Sequence, residues 1–207
     1  MLDTELIPAQ EKDSRRLMIV IHGLGDSMDG YRWLPSALRI PSMNYLLVNG
    51  PDGYYGGFSW FDIYENRSPG IKRSRELLFT LLDDMRGKGF PTEQTILFGF
   101  SQGCVMTIEA GCRYPHLLAG LIGISGWPHE PVELIAQRSS VATQQKLLIT
   151  HGLQDTLVPF TDAKKGVQVL KDAGFQIAWH EYRKAHTIIE DEIELFREFV
   201  TARFETK

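Results

Sequence analysis

The sequence predicts an α/β domain with a mostly parallel, doubly wound sheet and helices on both faces. Three observations carry this. Six short β-rich runs alternate with helical patterns along most of the 207 residues. Several of the runs are continuously apolar rather than alternating, as strands covered on both faces are. No repeat, low-complexity tract or linker interrupts the order, which is that of a doubly wound domain.

The first strand is expected at Leu17–His22 and the second at Tyr45–Asn49. The glycine- and aromatic-rich stretch Asn49–Pro69 follows, and structureless segments of about twenty residues in compact domains are usually functional. Leu77, Leu78, Leu81, Leu82 and Met85 recur at helical spacing and predict a helix over Ile71–Lys88. Thr95–Phe100 reads as the third strand, followed by a helix from Ser101 to Arg113 with Val105, Ile108 and Cys112 on one face. Strands at Leu118–Ser125 and Lys146–His151 come next, then a helix over Thr161–Ala173 and a strand at Gln176–Tyr182. The last helix is expected over Ile188–Phe204, with Ile189, Ile193, Phe196 and Val200 as its apolar stripe. Between Ser125 and Lys146 lie only about twenty residues, too few for a separate cap domain. One domain over residues 1–207 with an open cleft is therefore expected.

Composition excludes several classes. A formal net charge of −4 leaves no electrostatic footprint for nucleic acid, and the cluster Lys72, Arg73 and Arg75 reads as a solvated helix face. The first sixteen residues lack the apolar core of a secretory signal, and no apolar run approaches a membrane span. Integral membrane association is not expected. Cys104 and Cys112 fall eight residues apart on one helix, roughly 12 Å along its axis and too far to bridge. Both read as reduced thiols, which suits a cytoplasmic protein. No metal-ligand spacing accompanies any histidine or cysteine, and no metal or cofactor is expected.

Gly99-Phe100-Ser101-Gln102-Gly103 matches G-x-S-x-G. The pentapeptide alone is a weak signal; its setting between a buried strand and a helix supplies the strand–turn–helix that a nucleophile elbow needs. A serine on so sharp a turn is lifted above the sheet, and the small residues at 99 and 103 avoid collision with the neighbouring strand and helix. The backbone N–H of Gln102 lies at the helix start, where it can stabilise an oxyanion. The competing reading is an ordinary helix-capping serine.

A nucleophilic serine needs a base, and the base a partner that fixes its tautomer. Behind an elbow of this kind the acid precedes the histidine in the chain. Of the histidines downstream, His180 falls inside a strand and His116 ends the helix that starts at the elbow, on the far side of the sheet. His186 follows the last strand in a short loop ahead of Thr187-Ile188-Ile189-Glu190, which reads as a capping box. That puts it at the carboxyl end of a strand, where open α/β sheets carry their sites. Asp155 ends the loop after the strand Lys146–His151 and emerges on the same edge. Asp162 sits in the first turn of the next helix, where an acid is favoured by the dipole in any case.

In the ordered set His22-Gly23-Leu24-Gly25-Asp26, Gly99–Gly103, His151-Gly152-Leu153-Gln154-Asp155 with Val158-Pro159, and Ala185-His186, the chain resembles the phospholipase/carboxylesterase family of α/β-hydrolases. This group includes acyl-protein thioesterases. Trp60-Phe61-Asp62-Ile63 and Ser125-Gly126 extend the likeness over essentially the whole chain. The resemblance implies Ser101, Asp155 and His186 as a catalytic triad. It also implies that the backbone N–H groups of Leu24 and Gln102 form the oxyanion hole, with His22 and His151 supporting their loops. Three positions depart from the family pattern: Cys104 and Ala185 stand where glycine is usual, and the Asn49–Ile71 segment is shorter and altered.

The expected activity is hydrolysis of carboxylic esters, thioesters or lysophospholipids with short to medium acyl chains, the substrate being a small molecule or an acylated partner. Trp60, Phe58 and Trp127 are the expected substrate-binding residues, with Tyr54 and Tyr55 available to the same apolar wall. Members of the family are often dimers, so the resemblance leaves room for a homodimer. The alternative is a non-catalytic ligand-binding protein of the same fold.

Overall fold

In a computed structural model that describes residues 1–205, six parallel strands and one antiparallel edge strand form a single sheet. In chain order the strands are β1 (Thr4–Ile7), β2 (Arg16–Ile21), β3 (Met43–Val48), β4 (Asp52–Tyr54), β5 (Gly57–Ser59), β6 (Thr95–Phe100), β7 (Gly120–Ile124), β8 (Lys146–Gly152) and β9 (Gln176–Tyr182). The helices are α1 (Leu34–Leu38), α2 (Arg67–Gly87), α3 (Gln102–Arg113), α4 (Pro131–Ala136), α5 (Phe160–Asp172) and α6 (Glu190–Phe204). The large sheet runs β1-β3-β2-β6-β7-β8-β9, and β4 and β5 pair separately as a hairpin.

The continuous apolar runs follow from the layering. In β2, Leu17, Ile19 and Ile21 face a core shared with Leu78 and Leu82 of α2, Val105 and Ile108 of α3 and Leu170 of α5. The alternate residues Met18 and Val20 face the opposite core, with Leu34 and Leu38 of α1 and Phe196 and Val200 of α6. Both sides of the pleat are therefore covered, and alternation in polarity disappears.

The chain leaves β2 toward β3 on one side and, after α2, returns to β6 on the other. The strand order thus reverses between β2 and β6, and ligands of open α/β sheets bind in the crevice at such a switch point.

The structure also contains elements that the sequence pattern does not announce. β1, α1 and α4 run only four to six residues. The segment expected to be irregular, Asn49–Pro69, holds the β4–β5 hairpin. Its turn places Tyr55 at φ 43° and Gly56 at φ 89°, the paired positive values of a tight hairpin turn. α6 starts at Glu190 rather than Ile188. Its Glu192 side chain accepts from the Ile189 amide at 3.0 Å, so the reciprocal carboxylate lies two residues beyond the expected Glu190. β7 starts at Gly120, because the Leu118 amide is diverted to the Gln145 side chain at 3.1 Å.

Candidate active site

Ser101 stands between β6 and α3 with φ 55° and ψ −115°. Such a conformation costs a non-glycine residue about 1–3 kcal/mol and persists only where the surroundings over-determine it. Here they do. The Ser101 amide donates to the Ile124 carbonyl of β7 at 2.8 Å, and its carbonyl accepts from the amides of Cys104 and Val105. A methyl group at Gly99 would collide with the Gly103 carbonyl, and one at Gly103 with the Ile21 carbonyl of β2. Both glycines are required by close backbone approach.

The Cys104 side chain fills the space left by two glycines. A Cβ on Gly123 would come within 2.7 Å of its sulfur, and one on Gly126 within 2.5 Å of its Cβ. Burial pushes the Cys104 thiol up to about 12, so it is a packing group and not a nucleophile at neutral pH.

His186 follows β9, and Asp155 follows β8. His186 Nε2 lies 2.9 Å from Ser101 Oγ, and His186 Nδ1 lies 2.7 Å from Asp155 Oδ2. The ring of Phe100 packs on the imidazole with centroids 4.8 Å apart. Burial alone would raise the Asp155 carboxyl. The Val158 amide at 2.9 Å, His186, and the Leu157 amide at 3.0 Å outweigh it and hold the carboxyl below its ordinary pKa. An ionised Asp155 accepting from Nδ1–H leaves Nε2 free to accept the Ser101 proton.

Leu24 and Gln102 flank the same cleft from the end of β2 and the start of α3. Among the described residues, neither backbone amide donates to a protein acceptor. The turn that carries Leu24 is pinned from three directions. His22 Nδ1 donates to the Gly23 carbonyl at 2.6 Å, while its Nε2 accepts from the Gly50 amide at 2.9 Å. The Gly25 amide donates to the Phe58 carbonyl, and the Phe58 amide to the Asp26 carbonyl, each at 2.9 Å. The Gln102 side chain accepts from the Trp60 amide at 2.9 Å and donates to the Phe61 carbonyl at 2.8 Å. His151, in β8, points Nε2 at the Val158 carbonyl at 3.0 Å, behind Asp155.

The cleft over Ser101 encloses about 380 Å³ and is lined by Ile63, Arg67, Trp127, Leu157 and Val158 besides the polar groups. Of the three aromatics expected to touch substrate, the structure places only Trp127 there. Trp60 is fully buried and donates its indole N–H to the His22 carbonyl at 3.0 Å; it belongs to the core beneath the site. Phe58 lies in the hairpin against His22, with ring centroids 6.3 Å apart, and does not line the cleft. Nor do Tyr54 and Tyr55: Tyr54 pairs with the Tyr64 hydroxyl, and Tyr55 stands 94% exposed at the hairpin tip. Both were displaced by the hairpin itself, which turns that segment away from the cleft and toward the Gly25 turn. Arg67, whose guanidinium sits 5.4 Å over the Trp127 ring, and Leu157 are lining residues without a sequence signature.

No helix among the described residues is long and apolar enough to cross a membrane. The chain is 28% identical to acyl-protein thioesterase 1 of Debaryomyces hansenii, over 92% of this chain and 94% of that one. It is 32% identical to acyl-protein thioesterase 1 of Schizosaccharomyces pombe over 69% of each. The crystal structure of esterase PE8 superposes with a TM-score of 0.89 at 27% identity, covering 98% of this chain and 99% of that one. The phospholipase/carboxylesterase family model matches residues 2–203. The chain belongs to this family of α/β-hydrolases, and it is an esterase-type hydrolase.

Proposed function

We propose that the protein cleaves carboxylic esters and thioesters of short to medium acyl chains through an acyl-enzyme on Ser101. The observation that carries this reading is the hydrogen-bonded chain from Ser101 Oγ through His186 to Asp155, with spacings of 2.9 and 2.7 Å. His186 takes the Ser101 proton as Oγ attacks the carbonyl, and Asp155 stabilises the resulting imidazolium. The amides of Leu24 and Gln102 hold the tetrahedral oxyanion. His186 then delivers the proton to the departing alcohol or thiol, and water repeats the sequence to release the acid. The acyl group lies against Trp127, Ile63 and Leu157, which fit an apolar chain. The thioester arm of the proposal draws on the relatives named acyl-protein thioesterase. A cytoplasmic setting fits the two buried free thiols.

Labelling with a fluorophosphonate tests the reading. Stoichiometric modification of the wild type, abolished in Ser101→Ala, is expected. A folded wild type that resists labelling would instead favour a ligand-binding protein of this fold. A chain-length series of matched esters and thioesters then ranks leaving group and acyl length by kcat/KM.

A further inference from the structure

Lys184 stands two residues before His186 and is only 3% exposed. Lysines normally keep the ammonium in water. This one turns inward. Its Nζ donates to Glu192 Oε1 at 2.6 Å and to the Thr187 carbonyl at 2.8 Å. Glu192, in the first turn of α6, is itself fully buried, and its second oxygen accepts from the Ile189 amide at 3.0 Å. The two side chains together hold the backbone at 187 and at 189.

His186 lies inside the span so closed. Upstream, the Lys184 carbonyl accepts from the Gln154 amide at 3.1 Å and the Tyr182 carbonyl from the Leu153 amide at 2.8 Å. These bonds zip the His186 loop to the loop that bears Asp155. The fit is close, since a methyl group at Gly152 would strike the Lys184 carbonyl. Downstream, the Lys184 ammonium on Thr187 and the Glu192 carboxylate on Ile189 fasten the same loop to α6. The imidazole is thus bracketed by backbone anchors upstream and side-chain anchors downstream, and Lys184 contributes one to each set.

A buried ion pair is a poor stabiliser, because desolvation of two charges offsets their attraction, and an apolar pair of similar volume is often as stable. What the pair offers is fixed geometry. We propose that Lys184 and Glu192 are positioning residues for His186: their buried pair holds the loop that sets Nε2 on Ser101 Oγ and Nδ1 on Asp155. This rests on the reading of His186 as the base. The pair touches neither substrate nor the reacting atoms and acts through loop placement, where a shift of about 1 Å can cost a hundredfold in rate.

The test uses the full-length enzyme and a chromogenic short-chain ester. Lys184→Met/Glu192→Met removes both charges together, which leaves no unpaired buried ion and is expected to keep the thermal unfolding transition. Its kcat should fall roughly 10- to 100-fold with KM almost unchanged, and the far-downfield proton resonance of the His186–Asp155 hydrogen bond should broaden. Lys184→Gln/Glu192→Gln, a neutral polar pair that leaves no unpaired buried ion, should give a smaller loss with the same KM. Wild-type kcat and an unmoved resonance in the folded Lys184→Met/Glu192→Met variant overturn the proposal; if that variant does not fold, wild-type kcat in Lys184→Gln/Glu192→Gln does so. His186→Ala keeps the two readings apart. Wild-type turnover there removes the base assignment, whereas its near-complete loss beside an unaffected double variant removes the positioning role alone.

Discussion

Both oxygens of Asp155 are engaged, and by different partners. Oδ1 accepts from the amides of Leu157 and Val158, and Oδ2 faces His186 Nδ1 at 2.7 Å. The Leu157 and Val158 bonds fix the carboxylate plane before His186 is considered. Asp155→Asn keeps the volume, but its amide NH2 must then point at either the two backbone donors or the imidazole Nδ1. If the carbonyl satisfies the backbone, the NH2 forces His186 into the tautomer with Nε2 protonated, which cannot accept the Ser101 proton. On the proposed mechanism, kcat should drop by about 10⁴, while the melting temperature moves by a few degrees at most. Steady-state kinetics beside thermal unfolding checks this; near-normal turnover would remove Asp155 from its proposed role.

The β4–β5 hairpin shows how an element of three-residue strands can govern a site it does not enter. Its Phe58 exchanges two backbone hydrogen bonds with the Gly25–Asp26 turn, so the Leu24 amide is placed by strand pairing from outside the main sheet. Gly57 is the contact point, since a Cβ there would fall on the Gly25 carbonyl. Gly57→Ala should therefore push the hairpin off the turn, lowering kcat roughly 10- to 100-fold with a smaller change in KM. Unchanged kcat in the folded variant would show that the hairpin is dispensable for the turn. The hairpin was not legible in the sequence because strands this short offer too few residues for a period of two to register. Ser101, Asp155 and His186 were legible for the opposite reason: each sits in a local pattern at the carboxyl end of a strand long enough to recognise. Trp60 failed differently. An aromatic beside an expected cleft reads the same whether its ring lines the cleft or supports its floor, and only the indole bond to the His22 carbonyl separates the two. The Lys184–Glu192 pair was invisible because it spans a loop and a helix start, where no i, i+4 rule applies.

At the scale of the whole molecule, the carboxyl edge of the sheet is held by two histidines that must stay neutral. His22 at the end of β2 and His151 in β8 are both fully buried. Desolvation lowers each pKa below the ordinary value of 6.5, more than the neighbouring carbonyls and acids raise it. Hydrogen bonding gives the same answer for His22, whose Nδ1–H goes to the Gly23 carbonyl while Nε2 accepts from Gly50. A second proton would set two donors against each other. In the unfolded chain both rings titrate normally. As pH falls below about 6.5, the unfolded state therefore binds protons that the folded state refuses, and stability declines until the depressed folded values are passed. Asp155, also depressed, adds a second loss at still lower pH, when its carboxylate takes up a proton. The melting temperature should accordingly fall in two stages, the first beginning near neutrality and not in the carboxylate range. His151→Gln, which can still donate to the Val158 carbonyl, should flatten the first stage by about one proton of uptake. Calorimetry from about pH 8 to about pH 2 checks both points; an unaltered first-stage slope in that variant would mean that His151 takes its proton in the folded state.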